Sequence, residues 1–213
     1  MPQQPLDLWL GPYQASTFDQ VADVVVGLAG VGRTVVIVDG QSGSGKTTFA
    51  TRLVQHIDGA ALVSTDDVAW HLSLVDWDQA VLDHVITPWL AGDDIDYRPP
   101  GWITKGREGS VTARGPGILV LEGVGAGRRR LADHASCVLW VDASAATSRE
   151  RCLSRDLGIN GDTLEEVEAF YQMYTDVETP LFLAETPWER AALIVDGETG
   201  FDGPVMIRRV ESP

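Results

Sequence analysis

Cysteine is scarce in this sequence, with only Cys137 and Cys152 among 213 residues. One lies in an apolar, strand-like run and the other in a helical segment, which excludes a disulfide framework and a cysteine-based zinc site. The sequence also lacks a basic N-terminal start and any apolar run of about 18 residues, the features of a secretion signal and a membrane span. These absences predict a reduced, cytoplasmic protein with no membrane partner.

Basic residues are also few. The chain has 16 Lys and Arg against 31 Asp and Glu, and its formal net charge is -15. Nucleic-acid binding depends on clustered positive charge, so we expect no nucleic-acid partner and a small-molecule substrate. A chain of this length with 44% hydrophobic residues can bury one substantial core, which predicts a single domain over residues 1–213. The sequence leaves a homo-oligomer open.

One stretch has a clear chemical signature. Residues 35–38 are apolar and mostly β-branched, residues 40–47 fit the pattern GxxxxGK[ST], and residues 48–57 have helical character. This strand, loop and helix context is typical of a phosphate-binding loop, whose glycines let main-chain N–H groups approach polyphosphate oxygens. Lys46 is expected to reach the β and γ phosphates and Thr47 to hold Mg²⁺. The predicted ATP-binding residues are Gly40, Gln41, Ser42, Gly43, Ser44, Gly45, Lys46, Thr47 and Thr48.

Apolar runs alternate with amphipathic segments along the chain. This alternation predicts an α/β protein with the P-loop NTPase fold, in which a central parallel sheet of about five strands has helices on both faces. The first helix is expected at residues 15–29, and residues 205–209 form a candidate extra edge strand. Residues 93–114 lack a helical period and are rich in Pro and Gly, so we predict a loop-rich insertion near the acceptor site.

Polar groups follow the carboxyl ends of three predicted strands, where ligands bind in open parallel sheets. They are the phosphate-binding loop, Asp66 and Glu122. Phosphoryl transfer needs a metal, cations and a carboxylate that orients or deprotonates the attacking hydroxyl. Asp66 suits the carboxylate role, and the adjacent Asp67 is its competitor. Glu122 suits Mg²⁺, and Asp66 is a further candidate metal ligand.

Basic side chains recur on the helix predicted from residue 144. Arg151 and Arg155 lie one turn apart on one face and could close on phosphates, so both are candidate catalytic residues and residues 144–160 a candidate lid. The alternative is a solvated face that pairs with Glu150 and Asp156.

Aromatic side chains cluster in the segments expected to flank the acceptor. Aromatic faces can stack on a planar base, with core packing as the alternative. The predicted acceptor-binding residues are Trp70, His71, Tyr97 and Trp102. The run Arg128–Arg130, by contrast, is predicted to be solvated.

Together these segments resemble the uridine kinase and phosphoribulokinase family of P-loop kinases. The resemblance spans most of residues 33–197. It is carried by GQSGSGKTT at 40–48, STDD at 64–67, LEG at 121–123, VDAS…SRERCLSRD at 141–156 and ERAALIVDG at 189–197.

The resemblance implies a fold like that of nucleoside and nucleoside monophosphate kinases, with ATP as donor and a nucleoside-like hydroxyl as acceptor. It implies Asp66 as the catalytic base, Glu122 beside Thr47 at Mg²⁺, and the arginines after the fourth strand as the lid. Two alternatives remain open at this stage. One is an enzyme whose acceptor is itself a phosphate, held by Arg98, Lys105 or Arg107, and the other is a nucleotide-dependent regulatory switch or ATPase.

Overall fold

The computed structural model describes residues 4–158 and 163–210. Within these residues, the chain forms a seven-stranded sheet, a separate two-stranded hairpin and helices on both faces of the sheet. The strands are β1 (Gln14–Ser16), β2 (Thr34–Asp39), β3 (Ala61–Ser64), β4 (Ile95–Tyr97), β5 (Val111–Ala113), β6 (Ile118–Glu122), β7 (Cys137–Asp142), β8 (Leu193–Asp196) and β9 (Val205–Arg209).

The helices vary from single turns to a 22-residue element. They are α1 (Phe18–Ala29), α2 (Lys46–Gln55), α3 (Thr65–Ala69), α4 (Asp78–Val81), α5 (Thr87–Ala91), α6 (Pro100–Thr104), α7 (Arg129–Ala132), α8 (Ala145–Asp156) and α9 (Leu164–Glu185). A π-helical turn, Leu82–Ile86, joins α4 to α5, so these three elements form a single helical run with one wide turn.

The large sheet has the order β1-β9-β8-β7-β2-β6-β3. The five strands from β8 to β3 are parallel and correspond to the five predicted from apolar runs. The prediction of about five strands is corrected to seven, because β9 pairs antiparallel with β8 and β1 pairs antiparallel with β9 at the edge of the sheet. The strand that leads into the phosphate-binding loop, β2, lies between β6 and β7 inside the parallel part.

The central strands are buried on both faces, which explains their continuous apolar sequences. Successive side chains of β2 point to opposite faces: Val35 and Ile37 belong to one hydrophobic cluster, and Val36 and Val38 to the other. Helices α1 and α2 cover the second cluster, and α5 and α9 cover the first. Each face of the sheet therefore has its own core.

The first helix begins three residues later than its apolar spacing suggested. Residues 14–16 pair with β9 instead, and Thr17 caps α1 by accepting a hydrogen bond from the Gln20 N–H. The Gln20 side chain in turn accepts from the Thr17 N–H at 3.0 Å, which completes a capping box. The cap and the strand pairing both compete with helical structure at residues 15–17.

Residues 93–114 are more ordered than the loop-rich insertion expected from their Pro and Gly content. Strands β4 and β5 pair antiparallel, with Ile95 opposite Ala113, and α6 lies between them. Ile95 and Trp102 are buried in the same core as the first face of the large sheet. Within the described parts of the chain, none of the helices is long and apolar enough to cross a bilayer.

Candidate active site

The loop between β2 and α2 forms a concave backbone at the start of a helix. Gly43 has φ +80° and Gly45 has φ +95°, a region that disfavours residues with a Cβ. Gly45 is the N-cap of α2, and no side chain of the described residues caps the helix, so the first N–H groups and the positive end of the helix dipole are left for another partner. This arrangement suits a polyphosphate.

Lys46 supports that interpretation. Its side chain lines a cavity next to the loop, yet the residue is only 8% exposed. Among the residues that the structure describes, no carboxylate forms an ion pair with it. The charge of Lys46 acts to lower the pKa of the buried carboxyls of Asp39 and Glu178, although neither forms an ion pair with it. A ligand phosphate would bring negative charge closer to this buried ammonium. The hydroxyl of Ser44 is also buried and has no hydrogen-bond partner within the described residues.

Two oxygen donors suited to Mg²⁺ lie beside the loop. The Thr47 hydroxyl donates a hydrogen bond to the Glu122 carboxylate at 3.0 Å, and Glu122 is 2% exposed at the end of β6. Among residues 4–158 and 163–210, no group of three or more His, Cys, Asp or Glu could hold a metal by itself. Mg²⁺ usually takes few protein ligands and completes its shell with phosphate and water oxygens. When bound, the ion would neutralise developing phosphate charge.

A cavity of about 380 Å³ opens beside the phosphate-binding loop. Three of the predicted nucleotide-binding residues line it, together with Asp66 and a wall of aromatic and apolar side chains. The residues most relevant to chemistry are Ser42, Lys46, Thr47, Asp66, Arg155 and Glu178. A larger open groove of about 720 Å³ lies between the N-terminal segment and helices α8 and α9, but it contains none of these residues.

The two adjacent aspartates have different surroundings. Both lie in the first turn of α3, which Ser64 caps by accepting a hydrogen bond from the Asp66 N–H at 3.3 Å. Asp66 is exposed and lines the cavity. Asp67 instead forms an ion pair with Arg107 at 2.8 Å and lies outside the cavity lining. The geometry therefore separates two carboxylates that the sequence left equivalent.

The four predicted acceptor-binding residues divide into two pairs. Trp70 and His71 line the cavity, with their rings 4.5 Å apart, and His71 has φ +63°. Tyr97 stacks on His84 at 4.0 Å, and Trp102 is buried with its indole N–H donating to the Asp67 carbonyl at 2.9 Å. Neither Tyr97 nor Trp102 lines the cavity. Trp102 is therefore buried against α3, as the core-packing alternative predicts.

The two candidate lid arginines also differ. Arg151 donates to the carbonyl of Gly197 at 2.8 Å and to that of Gly43 at 3.4 Å, so it joins the phosphate-binding loop to the segment after β8. Arg155 lines the cavity and pairs with Asp156 through hydrogen bonds of 2.6 and 2.8 Å, which raise the pKa of its guanidinium. Residues 159 and 160 of the predicted lid lie outside the described residues.

Two predicted nucleotide-binding side chains already have protein partners. Gln41 exchanges two hydrogen bonds of 3.0 Å with the main chain of Leu6, one through each atom of its amide. Ser42 donates to Glu178 of α9, from its N–H at 3.2 Å and from its hydroxyl at 2.5 Å. The Gln41 side chain therefore holds the N-terminal segment against the loop.

Glu178 is a site residue that the sequence analysis missed. It is 9% exposed, and burial raises the pKa of its carboxyl. Its position could have been found from the helical period, because Glu178 lies four residues before Phe182 and three after Thr175, both buried on the inner face of α9. A carboxylate on an apolar helical face is a stronger signal than one on a solvated face.

Asp39 was missed as well. Its carboxylate accepts hydrogen bonds from the N–H groups of Gly40, Gly125 and Gly127 at 2.7 to 2.8 Å, and so joins the phosphate-binding loop to the loop after β6. It is fully buried, and this burial raises the pKa of Asp39 to about 6 against the opposing effect of the three N–H donors. The sequence signal was its place at the end of the central strand.

The prediction that Arg128 is solvated is wrong. It is buried, its guanidinium lies 4.1 Å from the centroid of the Trp77 ring, and it donates to the carbonyls of Gly125 and Val75 at 2.9 and 2.6 Å. Burial lowers the pKa of its guanidinium. The run of three arginines does not indicate which one packs inward. In the structure it is Arg128, the residue immediately before α7.

Comparison with solved structures places this geometry in a known fold. A possible uridine kinase from Bacillus stearothermophilus is 18% identical, with a TM-score of 0.54 over 83% of this chain and 96% of that one. A candidate fructose transport system kinase from Silicibacter sp. TM1040 is 17% identical, with a TM-score of 0.58 over 80% and 95%. The YGR205w protein is 14% identical, with a TM-score of 0.54 over 92% and 100%.

At these identities the likeness establishes the fold, a mostly parallel sheet of the P-loop kinase type. No family model matches the sequence. A search of curated proteins also finds no match. The activity therefore has to be argued from the site.

Proposed function

We propose that this protein is an ATP- and Mg²⁺-dependent phosphotransferase that moves the γ-phosphoryl group to a hydroxyl of a small molecule. The observation that carries the proposal is the cavity of about 380 Å³ that Lys46 and Thr47 line together with Asp66. A phosphate cradle and a carboxylate on one cavity are what transfer to an alcohol requires. The fold shared with structures described as kinases agrees with this activity.

Within this proposal, Asp66 orients the acceptor hydroxyl and takes its proton. The carboxylate is exposed to the cavity and is not engaged in an ion pair within the described residues, whereas Asp67 is held by Arg107. Lys46 and the main-chain N–H groups of the loop bind the β and γ phosphates, and Thr47 and Glu122 hold Mg²⁺. Arg155 can turn toward the transferred group if its pair with Asp156 opens.

The surroundings of the cavity favour an alcohol over a phosphate as acceptor. A phosphate acceptor would need Arg98, Lys105 or Arg107, none of which lines the cavity. Arg98 donates to the Arg107 carbonyl at 3.0 Å, and Arg107 itself pairs with Asp67. The nucleoside implied by sequence resemblance is the first acceptor class to test, with Trp70 and His71 as its proposed contacts.

The proposal is tested by measuring ADP release from ATP and Mg²⁺ in the presence of nucleosides, other small alcohols and sugar phosphates, with mass detection of the product. We expect at least one alcohol to stimulate ADP release and to gain one phosphoryl group. ATP hydrolysis that no acceptor changes would instead favour a regulatory ATPase, and consumption of a nucleoside monophosphate would favour the phosphate-acceptor alternative.

Matched variants then test the roles of the residues. Asp66→Asn should lower the acceptor-dependent kcat by about 10²–10⁴-fold, the usual contribution of a general base, while ATP affinity is retained. Asp67→Asn is the control, because it makes the same chemical change one residue away and outside the cavity lining. Lys46→Ala should lower turnover by about 10²–10³-fold. Equal effects of the two aspartate variants would contradict the assignment of the base.

A further inference from the structure

The cavity beside the phosphate-binding loop has an excess of negative side chains. Three carboxylates line it, from Asp66, Asp156 and Glu178, but only two cations, Lys46 and Arg155. The remaining 14 of the 16 Lys and Arg residues are absent from its lining, and the residues outside the described ranges contain no Lys or Arg. The charge of the cavity therefore depends on how these five groups pair.

Both cations have other roles. Arg155 forms a bidentate pair with Asp156, which neutralises both groups. Lys46 lies in the first turn of α2, is more than nine-tenths buried and has no ion pair among residues 4–158 and 163–210, and in the proposed function it binds the polyphosphate. An acceptor with its own phosphate or carboxylate would have to compete with the polyphosphate for Lys46 or with Asp156 for Arg155.

Two carboxylates remain for the acceptor. Asp66 faces its hydroxyl in the proposed reaction, and Glu178 of α9 lines the same cavity and accepts a hydrogen bond from Ser42 of the phosphate-binding loop. Glu178 accepts hydrogen bonds from Ser42 and lies within electrostatic range of Lys46, whose charge the polyphosphate would neutralise in the proposed function. A positively charged ligand group would therefore stabilise this buried carboxylate.

The rest of the cavity wall also suits a cation. Phe170 and Tyr174 form an edge-on aromatic pair, 4.8 Å between ring centroids, and Trp70 lines the same space. The faces of such rings attract ammonium groups. The formal net charge of -15 adds a long-range field that draws cations and repels anions.

We propose that the acceptor is an alcohol that carries a protonated amine, with the hydroxyl at Asp66 and the ammonium group between Glu178 and the aromatic wall. This inference rests on the proposed phosphotransferase function and narrows its substrate class. In the reaction, the hydroxyl oxygen forms a bond to the γ-phosphorus while the bond from that phosphorus to the β–γ bridging oxygen breaks. ADP leaves with the bond electrons, and the hydroxyl proton passes to Asp66.

Two sets of acceptors, each with one cationic, one neutral and one anionic compound on a related skeleton, test the proposal. One set is 5-aminomethyluridine, 5-methyluridine and 5-carboxyuridine, and the other is phenylalaninol, N-acetylphenylalaninol and 3-phenyllactate. Each compound is assayed for stimulated ADP release and, separately, for binding by quenching of tryptophan fluorescence in the presence of a non-hydrolysable ATP analogue. We expect the amine of at least one set to have a kcat/KM about tenfold or more above its neutral partner, and the anion to be the poorest.

The variant Glu178→Gln should reduce this preference for the amine to near unity, because it removes the charge and keeps the shape. Glu165→Gln, on an exposed turn of the same helix, is the matched control and should leave the preference unchanged. The ratio of amine to neutral compound is read within each protein, so a general loss of stability in Glu178→Gln does not imitate the result. The wild-type ratio tests the proposal even if that variant fails to fold.

The outcomes separate the two proposals. Stimulation by neutral or anionic alcohols with no preference for amines would overturn the charge inference and leave the phosphotransferase function intact. If no compound stimulates ADP release, the phosphotransferase function fails in this assay, and the fluorescence titrations still decide the charge preference. Equal or tighter binding of the neutral and anionic compounds would then overturn the inference.

Discussion

The packing of α8 on the phosphate-binding loop makes Gly43→Ala a demanding test of the structure. A Cβ at Gly43 would lie 2.1 Å from the carbonyl oxygen of Ser148 and 2.8 Å from its carbonyl carbon. These are main-chain atoms of a helix, so no side-chain rotation relieves the overlap. Gly43 also has φ +80°, a backbone conformation that costs an alanine about 1–2 kcal/mol.

The two effects should add. Overpacking against a helix backbone costs about 1–3 kcal/mol, so Gly43→Ala should reduce the free energy of unfolding by about 2–5 kcal/mol in total. Gly92→Ala isolates the backbone term, because Gly92 has φ +100° and no atom within 4 Å of an added Cβ. It should cost about 1–2 kcal/mol. Gly27→Ala, inside α1 with an open site and no positive φ, should stabilise the protein by up to about 1 kcal/mol.

Urea denaturation followed by circular dichroism measures all three variants under one condition. The expected order of stability is Gly27→Ala, wild type, Gly92→Ala and Gly43→Ala. Displacement of α8 should also weaken ATP binding in Gly43→Ala, since Arg151 of α8 contacts the Gly43 carbonyl. If Gly43→Ala cost no more than Gly92→Ala, the close approach of α8 to the loop would be refuted.

Two further predictions concern the core and the pH dependence of stability. Trp89→Ala should cost about 3–5 kcal/mol in urea denaturation, because Trp89 is fully buried and donates to the Thr34 carbonyl at 3.0 Å, whereas exposed Leu90→Ala should change stability by about 0.5 kcal/mol or less. Because the pKa of Asp39 rises from 3.8 to about 6 on folding, the folded state binds a proton more tightly, and the stability of the wild type relative to Asp39→Asn should fall by about 1.3 kcal/mol between pH 5 and pH 7. If the stability of the wild type relative to Asp39→Asn instead increased with pH, the three N–H donors would outweigh burial in setting the pKa of Asp39.

The parallel part of the fold could be predicted from sequence because its signals are local. Each central strand is an unbroken apolar run, and the five predicted strands are the five parallel strands of the sheet. The antiparallel edge was harder to see. Strand β1 has only three residues, partly exposed, and its pairing with β9 joins residues far apart in the chain. Neither composition nor periodicity describes such a pairing.

The candidate site was predicted in part for the same reason. The phosphate-binding loop, Thr47 and Glu122 follow from motifs and strand ends, and the Thr47–Glu122 contact joins them in space. The burial of Trp102 was not predicted, because its segment was expected to be a loop near the acceptor. In the structure, Trp102 belongs to α6 and is buried against α3. Arg128 was harder because an arginine run does not indicate which member packs inward.

By itself, the sequence determined the backbone conformation of the phosphate-binding loop, since glycine placement, a strand and a helix start are all encoded within about 16 consecutive residues. Only the tertiary structure decided which charged groups face the cavity. Asp66 and Asp67 are adjacent in sequence and have different partners, and Glu178 reaches Ser42 across 136 residues of chain. Side-chain direction and long-range packing set these contacts, and a local sequence pattern predicts neither of them.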